Sequence, residues 1–323
     1  MKTDLHNSPL GVRGRTLICP LNWGLGHATR CVPIIRDFVA NGHEVIVATD
    51  GFPLEFLKQE FPSLRFIEFP SYPIYYSAGK SQLGAMIYNF PNIVKGILNE
   101  HFWLKNVLKN EFFDKIISDN RFGLWNKRIH SVYITHQLMI KMPKNLDFLE
   151  ILAHKIHKAF INRYDECWIP DRLKDGLSGD LSHHYPLPRN ARFIGALSRF
   201  RGMENTLLNK DFQVVALVSG VEPQRTIFEE NLKLRFKNQP EKVLIVQGQP
   251  TPAKKEHKIG NITLVSHLQD TELAAVLIGA TRIICRSGYS SIMDLDALNC
   301  LQKAEFVPTP GQTEQEYLAS VHS

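Results

Sequence analysis

The sequence predicts an α/β protein of two successive domains, each with a doubly wound parallel β-sheet. The chain has 323 residues, about twice the usual length of one domain. Short apolar runs typical of buried strands alternate with amphipathic segments, a pattern that indicates βαβ units. Residues 170–212 are rich in Pro, Gly and charge and interrupt this alternation. We therefore predict an N-terminal domain over 1–197 and a C-terminal domain over 198–323, with the boundary in 197–211.

The N-terminal domain opens with a βαβ unit. The apolar run 15–20 predicts a strand, and a second strand is predicted at 43–49. Between them, 27–41 has helical spacing, because apolar side chains such as Ala28 and Ile35 recur on one face. A unit of this length implies two parallel strands joined by a right-handed crossover.

The rest of the N-terminal domain continues the alternation. Strands are predicted at 63–69, 114–118, 131–135 and 166–169. Helices are predicted at 83–110, with an interruption at Pro91, and at 145–163.

The C-terminal domain repeats the same pattern. Strands are predicted at 212–217, 242–247, 261–265, 282–285 and 304–307. Helices are predicted at 222–237, 270–278, 290–298 and from 312 onward. Doubly wound sheets bind ligands at the carboxyl ends of their strands. We therefore expect these edges of the two domains to face each other across a cleft.

Composition and charge narrow the class of protein. Apolar residues make up 44% and charged residues 22% of the chain, as in ordinary globular proteins. No apolar run approaches the roughly 20 residues that span a bilayer, and the five cysteines lack metal-ligand spacing. Residues 1–197 carry 24 Lys and Arg against 18 Asp and Glu, whereas 198–323 carry 14 of each. This mild excess does not indicate nucleic-acid binding but is compatible with an anionic acceptor or membrane surface. We expect a cytoplasmic protein.

The first candidate site follows the first strand, in the turn Trp23-Gly24-Leu25-Gly26-His27. The glycines permit a tight turn that a ligand can approach closely, and the helix start favours an anion. A dinucleotide fingerprint would need glycine at position 29, where the chain has Thr29. His27 is therefore a candidate for chemistry, with a structural capping role as the alternative.

The second candidate is Asp119, in the SDNR sequence that ends the strand 114–118. A carboxylate at this place can orient His27 as a general base. The alternative is an Asx turn or a helix cap.

Three segments of the C-terminal domain have the residues of a phosphate and sugar site. SGVEPQR (219–225) and RSGYSS (286–291) each follow a strand and open a helix, so that hydroxyls and N–H groups can hold phosphate oxygens. Asp294, one turn further, can accept hydrogen bonds from ribose hydroxyls. PTPGQTEQ (308–315) offers amides suited to sugar hydroxyls. For 219–225 a plain helix cap is the alternative.

In combination these segments resemble the GT-B glycosyltransferases, in particular the MurG-like group that transfers N-acetylglucosamine from a UDP donor. The strongest matches are ICRSGYSSIMDL (284–295) and PTPGQTEQEYLA (308–319), with the GxGH turn at His27. The resemblance implies two Rossmann-like domains, the first binding the acceptor and the second the nucleotide-sugar donor. Together with the residue types of these segments, the resemblance gives the predicted donor site: Gly24, Gly26, Ser219, Gly220, Gln224, Arg225, Gln247, His267, Leu268, Arg286, Ser287, Gly288, Ser290, Ser291, Asp294, Gln312 and Gln315.

The resemblance implies transfer of N-acetylglucosamine or another hexose from a UDP-sugar to an acceptor hydroxyl, with inversion. His27 would be the base, and its pairing with Asp119 is similar to the His–Asp dyad of the plant-type and antibiotic UDP-glycosyltransferases. We expect no metal ion or other cofactor, because Asp294 and Asp296 have DxD spacing but lie within a helix, where residues two apart diverge.

Several features depart from the MurG-like pattern. The first turn reads WGLGH and not GGTGGH, which argues against a peptidoglycan precursor as the acceptor. The glycine-rich GGSxG diphosphate loop of the family is absent from 219–225. Related chains continue beyond the position of Ser323, so a C-terminally shortened second domain is expected. The alternatives are a UDP-sugar epimerase of the same fold and a non-catalytic sugar-nucleotide-binding protein, with a nicotinamide oxidoreductase third.

A lipid-linked acceptor and peripheral membrane contact are also compatible with the sequence. Residues 83–108 and 138–163 carry aromatic and apolar side chains among lysines. The side chains suited to a membrane surface are Phe90, Ile97, Phe102, Trp103, Met139, Ile140 and Met142. Packing of these side chains in the protein core is the favoured alternative.

Overall fold

The computed structural model describes residues 14–70, 82–142, 146–251 and 253–323, with the backbone alone for 82–90. The chain forms two compact units. The first unit contains most of the chain up to Leu197, and the second contains Ser198–Ser323. The short segment Trp23–Arg30 also belongs to the second unit.

The first unit contains a seven-stranded sheet in which every pairing is parallel. Its strands are β1 (Arg15–Pro20), β2 (Glu44–Thr49), β3 (Arg65–Glu68), β4 (Lys115–Asp119), β5 (His130–Ile134), β6 (Glu166–Ile169) and β7 (Ala191–Phe193). They are arranged in the order β3-β2-β1-β4-β5-β6-β7. The order reverses between β1 and β4, which makes this pair the topological switch point of the sheet.

Helices alternate with these strands along the described part of the first unit. They are α1 (Gly26–Ala40), α2 (Gly51–Glu60), α3 (Gln82–Asn110), α4 (Glu150–Ile161) and α5 (Asp180–His183). The expected interruption of α3 at Pro91 is wrong, because the helix runs through this proline without a break. The cost of a proline inside a helix is local. It is outweighed by the later turns of α3, where Leu104 is buried and Trp103 stacks on Phe69 at 3.8 Å between ring centroids.

The second unit contains a six-stranded sheet in the order β10-β11-β9-β8-β12-β13. Its strands are β8 (Val214–Leu217), β9 (Val243–Val246), β10 (Glu256–Ile259), β11 (Ile262–Val265), β12 (Arg282–Cys285) and β13 (Ala304–Phe306). The helices are α6 (Gln224–Phe236), α7 (Asp270–Gly279), α8 (Tyr289–Ala297) and α9 (Thr313–His322). The switch point lies between β8 and β12.

The structure confirms the two parallel α/β sheets but corrects one detail. Strand β10 was not predicted, and it pairs with β11 in the antiparallel sense. All four residues of β10 are exposed, so this edge strand lacks the apolar signal on which the sequence prediction depends. The three-residue strand β7 and the helices α2 and α5 also have no predicted counterpart.

Apolar packing on the sheets forms the cores of both units. Side chains of the central strands, such as Leu17, Ile116, Val215 and Ile283, are fully buried. The cysteines are all buried, and burial raises the pKa of Cys19, Cys167 and Cys285 to about 12. These cysteines are core residues, and a thiol that keeps its proton is a poor nucleophile.

Candidate functional site

The candidate site lies at the carboxyl edge of the second sheet, where the loops after β8 and β12 flank the switch point. The loop after β8 contains Ser219 and Gly220, and the loop after β12 runs from Arg286 to Gly288 before α8. In open parallel sheets this crevice is the usual place for a ligand.

Two glycines leave this edge open. Gly220 has a φ of 109°, a conformation that would be strained for any residue with a side chain. Gly288 has a φ of −71°, which any residue can adopt. A Cβ atom added at either position would meet no other heavy atom within 4 Å. The backbone N–H groups of both loops can therefore be approached closely by a ligand.

Arg286 holds the loop after β12 in place. Its Nη1 atom donates to the carbonyls of Val307 and Pro308 at 3.3 and 2.9 Å, and its Nη2 atom donates to the carbonyl of Gln224 at 3.1 Å. The guanidinium also lies 4.2 Å from the centroid of the Phe228 ring. Burial lowers the pKa of Arg286 to about 10. Arg286 thus joins three segments of the site from within the unit.

The loop after β13 is braced by two hydrogen bonds that Gln315 accepts. The Ser287 hydroxyl donates to the carbonyl of Gln315 at 2.7 Å. The Gln315 side-chain oxygen accepts from the backbone N–H of Thr309 at 2.8 Å. Gln312 lies at the N-cap position of α9 and is half-buried, and its backbone N–H donates to the carbonyl of Thr309.

Asp294 is buried on α8, and its carboxylate already has internal partners. The Ser198 hydroxyl donates to Oδ1 at 2.6 Å, and Arg199 Nε lies 3.6 Å from Oδ2. Arg199 also pairs with Asp270 at 3.0 Å. Burial raises the pKa of Asp294 to about 6, against the opposing effects of Arg199 and Ser198. A ribose at this carboxylate would compete with Ser198.

Arg225 lies at the start of α6, and carboxylates compensate its charge. Its Nε atom donates to Glu222 at 2.7 Å, and its Nη1 atom donates to Glu229 at 3.0 Å. The Gln247 side-chain amide donates to the other oxygen of Glu229 at 3.0 Å. Gln224 is buried beside this cluster. These contacts align α6, so the positive charge of Arg225 is only partly available to a ligand.

His267 and Leu268 follow β11 and are both half-buried. His267 Nδ1 lies 3.0 Å from the Ser266 hydroxyl, and burial together with nearby Lys254 lowers the pKa of His267. Leu268 packs against the apolar core of the second unit.

The Trp23–Arg30 turn lies beside these loops within the second unit. The Ser290 hydroxyl donates to the carbonyl of Gly26 at 2.8 Å. Gly24 has a φ of 96°, and a Cβ atom added there would lie 3.9 Å from the Cα atom of Gly220. The structure thus brings Gly24, Gly26, Gly220 and Ser290 together. Ser291, on the first turn of α8, is half-buried.

His27 has a partner that the sequence analysis did not anticipate. Arg30 Nη2 lies 2.8 Å from His27 Nδ1, and Arg30 itself is buried. The signal was present in the sequence, because residues three apart in a helix are neighbours. By contrast, no pattern could reveal the pairing of Ser198 with Asp294, which are 96 positions apart.

Asp119 lies in the first unit, at the end of β4, and is fully buried. The Cys31 thiol donates to Asp119 Oδ2 at 3.6 Å. The next residue, Asn120, has a φ of 57° and accepts a hydrogen bond from the Tyr133 hydroxyl at 2.9 Å. The pairing of Asp119 with His27 stays a prediction.

Comparisons with solved structures identify the fold. The chain superposes on the glycotransferase of kitacinnamycin with a TM-score of 0.57 at 16% identity, covering 96% of this chain and 91% of that one. The calicheamicin glycosyltransferase CalG4 superposes with a TM-score of 0.57 at 11% identity, and the match covers 96% of this chain and 84% of CalG4. Arabidopsis thaliana UGT89C1 complexed with UDP-L-rhamnose superposes with a TM-score of 0.50 at 13% identity, and the match covers 96% of this chain and 90% of UGT89C1. The chain therefore has the two-domain α/β fold of the GT-B glycosyltransferases.

Sequence comparisons add no closer relationship. Neither a scan against protein-family models nor a search of curated proteins finds a match. Within the described residues, no helix is long and apolar enough to cross a membrane. The same part of the chain contains no group of three or more His, Cys, Asp or Glu side chains placed to hold a metal ion.

Proposed function

We propose that this protein is a glycosyltransferase that transfers a sugar from a nucleoside diphosphate donor to an acceptor hydroxyl. The observation that carries the proposal is the likeness of fold, over 95% or more of this chain, to solved structures that are glycosyltransferases. The open switch point between β8 and β12 supports it, because a nucleotide fits that place in such sheets.

The donor is a UDP-hexose, with N-acetylglucosamine as the first candidate sugar, as in the MurG-like group. The complex of UGT89C1 with UDP-L-rhamnose supports a uridine donor. The backbone N–H groups at Gly220 and Gly288 and the hydroxyls of Ser219 and Ser291 would hold the diphosphate. His267 and Leu268 would contact the base, and Gln312 and Gln315 the sugar.

The remaining donor-site residues fall into two groups. Asp294 would bind the ribose after its hydrogen bond from Ser198 is exchanged for a ribose hydroxyl. The others would position the loops from within: Gln224, Arg225, Gln247, Arg286 and Ser287. Their internal hydrogen bonds support this role.

In the proposed reaction the acceptor oxygen attacks the anomeric carbon in line, with inversion. The bond from that carbon to the diphosphate oxygen breaks, and the diphosphate leaves with the electron pair. Backbone N–H groups at the helix starts stabilise the leaving group, so we propose that no metal ion is needed. The sequence predicts His27 as the base, assisted by Asp119, whereas the contact of Arg30 with His27 Nδ1 favours a different role for this side chain.

Ligand-dependent stability tests the proposal most directly. Thermal unfolding is measured with UDP, GDP, TDP and NAD, each with and without EDTA. UDP should give the largest rise in melting temperature, because a ligand that binds only the folded state stabilises it. Incubation with UDP-hexoses should release UDP and, with an acceptor present, a glycoside. The proposal fails if no nucleoside diphosphate stabilises the protein or if NAD alone does. Conversion of the UDP-hexose to another UDP-hexose without an acceptor would indicate an epimerase. Binding of the UDP-hexose without any turnover would indicate a non-catalytic sugar-nucleotide-binding protein.

The acceptor is proposed to be lipid-linked, at the cytoplasmic face of a membrane. Two helices of the first unit expose apolar side chains next to lysines. On α3 these are Val94, Leu98 and Phe102, with Lys105. On α4 and the turn before it they are Phe148, Ile151, Leu152 and Ile156, with Lys155. Apolar side chains flanked by cations suit an anionic lipid surface.

The structure changes which residues carry this membrane proposal. Trp103, Met139 and Met142 are packed in the protein, whereas Phe102 is 60% exposed. Ile97 and Ile140 are half-buried, and Phe90 lies outside the described side chains. The wild type should sediment with phosphatidylglycerol vesicles. The double variant Phe148→Ser, Ile151→Ser should remain in the supernatant. Leu234→Ser, at an exposed leucine of the second unit, is the matched control. Equal retention of all variants would remove the membrane proposal.

A further inference from the structure

The contact between His27 and Arg30 determines what His27 can do. Both residues lie on the first turns of α1, in the segment that belongs to the second unit. Arg30 Nη2 lies 2.8 Å from His27 Nδ1, a normal hydrogen-bond distance. Arg30 is 2% exposed, so its guanidinium is held in place by the surrounding protein.

The chemistry of the two side chains fixes the proton on the ring. A guanidinium has five N–H donors and no acceptor. His27 Nδ1 must therefore be the acceptor, and it carries no proton. A neutral imidazole has one N–H, which is then on Nε2. The imidazolium form would have a donor at both nitrogens, and it would place two positive charges side by side.

We propose that Arg30 is a positioning residue that holds His27 as the neutral tautomer protonated on Nε2. In this form His27 is a hydrogen-bond donor and not a base. The identity of its ligand rests on the proposed function. Under that function, the Nε2–H group donates to an oxygen of the donor diphosphate.

The surroundings of the turn support a diphosphate as the ligand. Gly26, next to His27, accepts a hydrogen bond from Ser290 on the first turn of α8. Gly24 lies beside Gly220 in the loop after β8. The turn therefore contacts loops on both sides of the switch point, the edge at which a nucleotide phosphate is expected.

A histidine base needs the opposite arrangement. In a His–Asp dyad a carboxylate accepts Nδ1–H, which leaves a lone pair on Nε2 to receive the substrate proton. Arg30 occupies the Nδ1 side with a donor, so that lone pair is absent. In the proposed reaction the Nε2–H group donates to the diphosphate oxygen while the bond to the anomeric carbon breaks. The proton stays on the ring, and the acceptor proton goes to solvent.

Nuclear magnetic resonance of the full chain labelled with ¹⁵N-histidine reads the tautomer directly. The two-bond correlations of His27 should show an unprotonated Nδ1 and a protonated Nε2, and His27→Gln identifies these signals by their loss. Arg30→Met should produce a mixture of tautomers. Arg36→Met, on the same helix, should leave the pattern unchanged. A proton on Nδ1, or an imidazolium, overturns the proposal.

The substitutions His27→Gln and His27→Ala distinguish a hydrogen-bond donor at position 27 from a general base at that position. The glutamine amide places an N–H donor near the position of Nε2 but cannot take a proton. Loss of a hydrogen bond to a charged group reduces turnover by about 10- to 100-fold, so His27→Ala should lose that much with a UDP-hexose. His27→Gln should keep roughly tenfold more turnover than His27→Ala and bind UDP more tightly.

The arginine variants and the wild type complete the test. Arg30→Lys, which still donates a hydrogen bond, should retain more turnover and UDP affinity than Arg30→Met. Equal loss of turnover in His27→Gln and His27→Ala, with UDP affinity as in the wild type, would make His27 a base. If the wild type binds no nucleoside diphosphate, the proposed function fails, but the resonance experiment still decides the tautomer.

Discussion

The two sheets have the same topology around their switch points but differ in what fills those points. At the first sheet, Arg121 is fully buried and crosses from the end of β4 to the carbonyl of Pro20 in β1, with an Nε–O distance of 3.3 Å. At the second sheet, a Cβ atom added at Gly220 or Gly288, in the loops after β8 and β12, would meet no other heavy atom within 4 Å. Strand order creates a switch point in both units, and the side chains beside it differ between the two sheets.

The buried ion pair at the switch point of the first unit carries an electrostatic cost. Glu100 lies 3.5 Å from Arg121 and accepts a hydrogen bond from the backbone of Gly123. Burial raises the pKa of Glu100 to about 7, although Arg121 opposes the shift. The Tyr164 hydroxyl donates to the carbonyl of Arg121 at 2.6 Å. The first unit therefore uses a buried ion pair for structure where the second unit leaves space.

Removal of Arg121 should destabilise the protein more than any other substitution at the two switch points. Arg121→Met leaves Glu100 buried without its cation, which costs about 3–5 kcal/mol of unfolding free energy. The loss should be greater at pH 8 than at pH 6, because a raised carboxyl pKa means that folding loses stability as pH rises. Urea unfolding at both pH values measures it. The double variant with Glu100→Gln should recover stability, and an equal loss in the double variant would contradict the ion-pair account.

A large side chain at the open switch point should strongly weaken ligand binding and leave the fold intact. Gly288→Phe attaches a ring through a Cβ position that has no other heavy atom within 4 Å, at a residue with an ordinary φ, so we expect the melting temperature to be nearly unchanged. UDP affinity should fall by about 100-fold, or about 2.7 kcal/mol. Calorimetric titration measures this, with Gly288→Ala as the matched control. Tight UDP binding by Gly288→Phe would place the nucleotide elsewhere.

The buried carboxylate of the second unit should respond to pH in a defined direction. The pKa of Asp294 is raised to about 6, so its contribution to stability falls as pH rises above the unfolded value and through 6. Asp294→Asn removes the cost of burying the charge and should be on the order of 1–3 kcal/mol more stable at pH 8. The gain should shrink as the pH is lowered towards 4. A gain independent of pH would indicate a packing effect instead.

The smallest expected effect distinguishes the two glycines of the open site. Gly220→Ala forces a side chain into a positive φ and should cost about 1–2 kcal/mol, whereas Gly288→Ala should change stability by less than about 0.5 kcal/mol. Denaturant unfolding of both variants compares them. Equal costs would mean that space, and not backbone conformation, selects glycine at position 220.

The strands of the two sheets could be predicted because a buried parallel strand is apolar along its length. Strands β1, β6 and β12 begin and end at the predicted residues. The same reasoning failed for β10, whose exposed residues EHKI carry no such signal. It failed at Pro91 too, because the local cost of a proline does not end a helix whose later turns pack in the protein.

The sequence by itself determined the α/β class, the division into two strand series and the loops that carry glycine, serine and histidine, since periodicity and turn chemistry are local properties. Tertiary structure alone decided the partners of these residues. Arg286 donates to the carbonyl of Gln224, Ser198 donates to Asp294, and Arg121 donates to the carbonyl of Pro20. Such contacts depend on which distant strands become neighbours, and that choice follows from packing of the whole sheet.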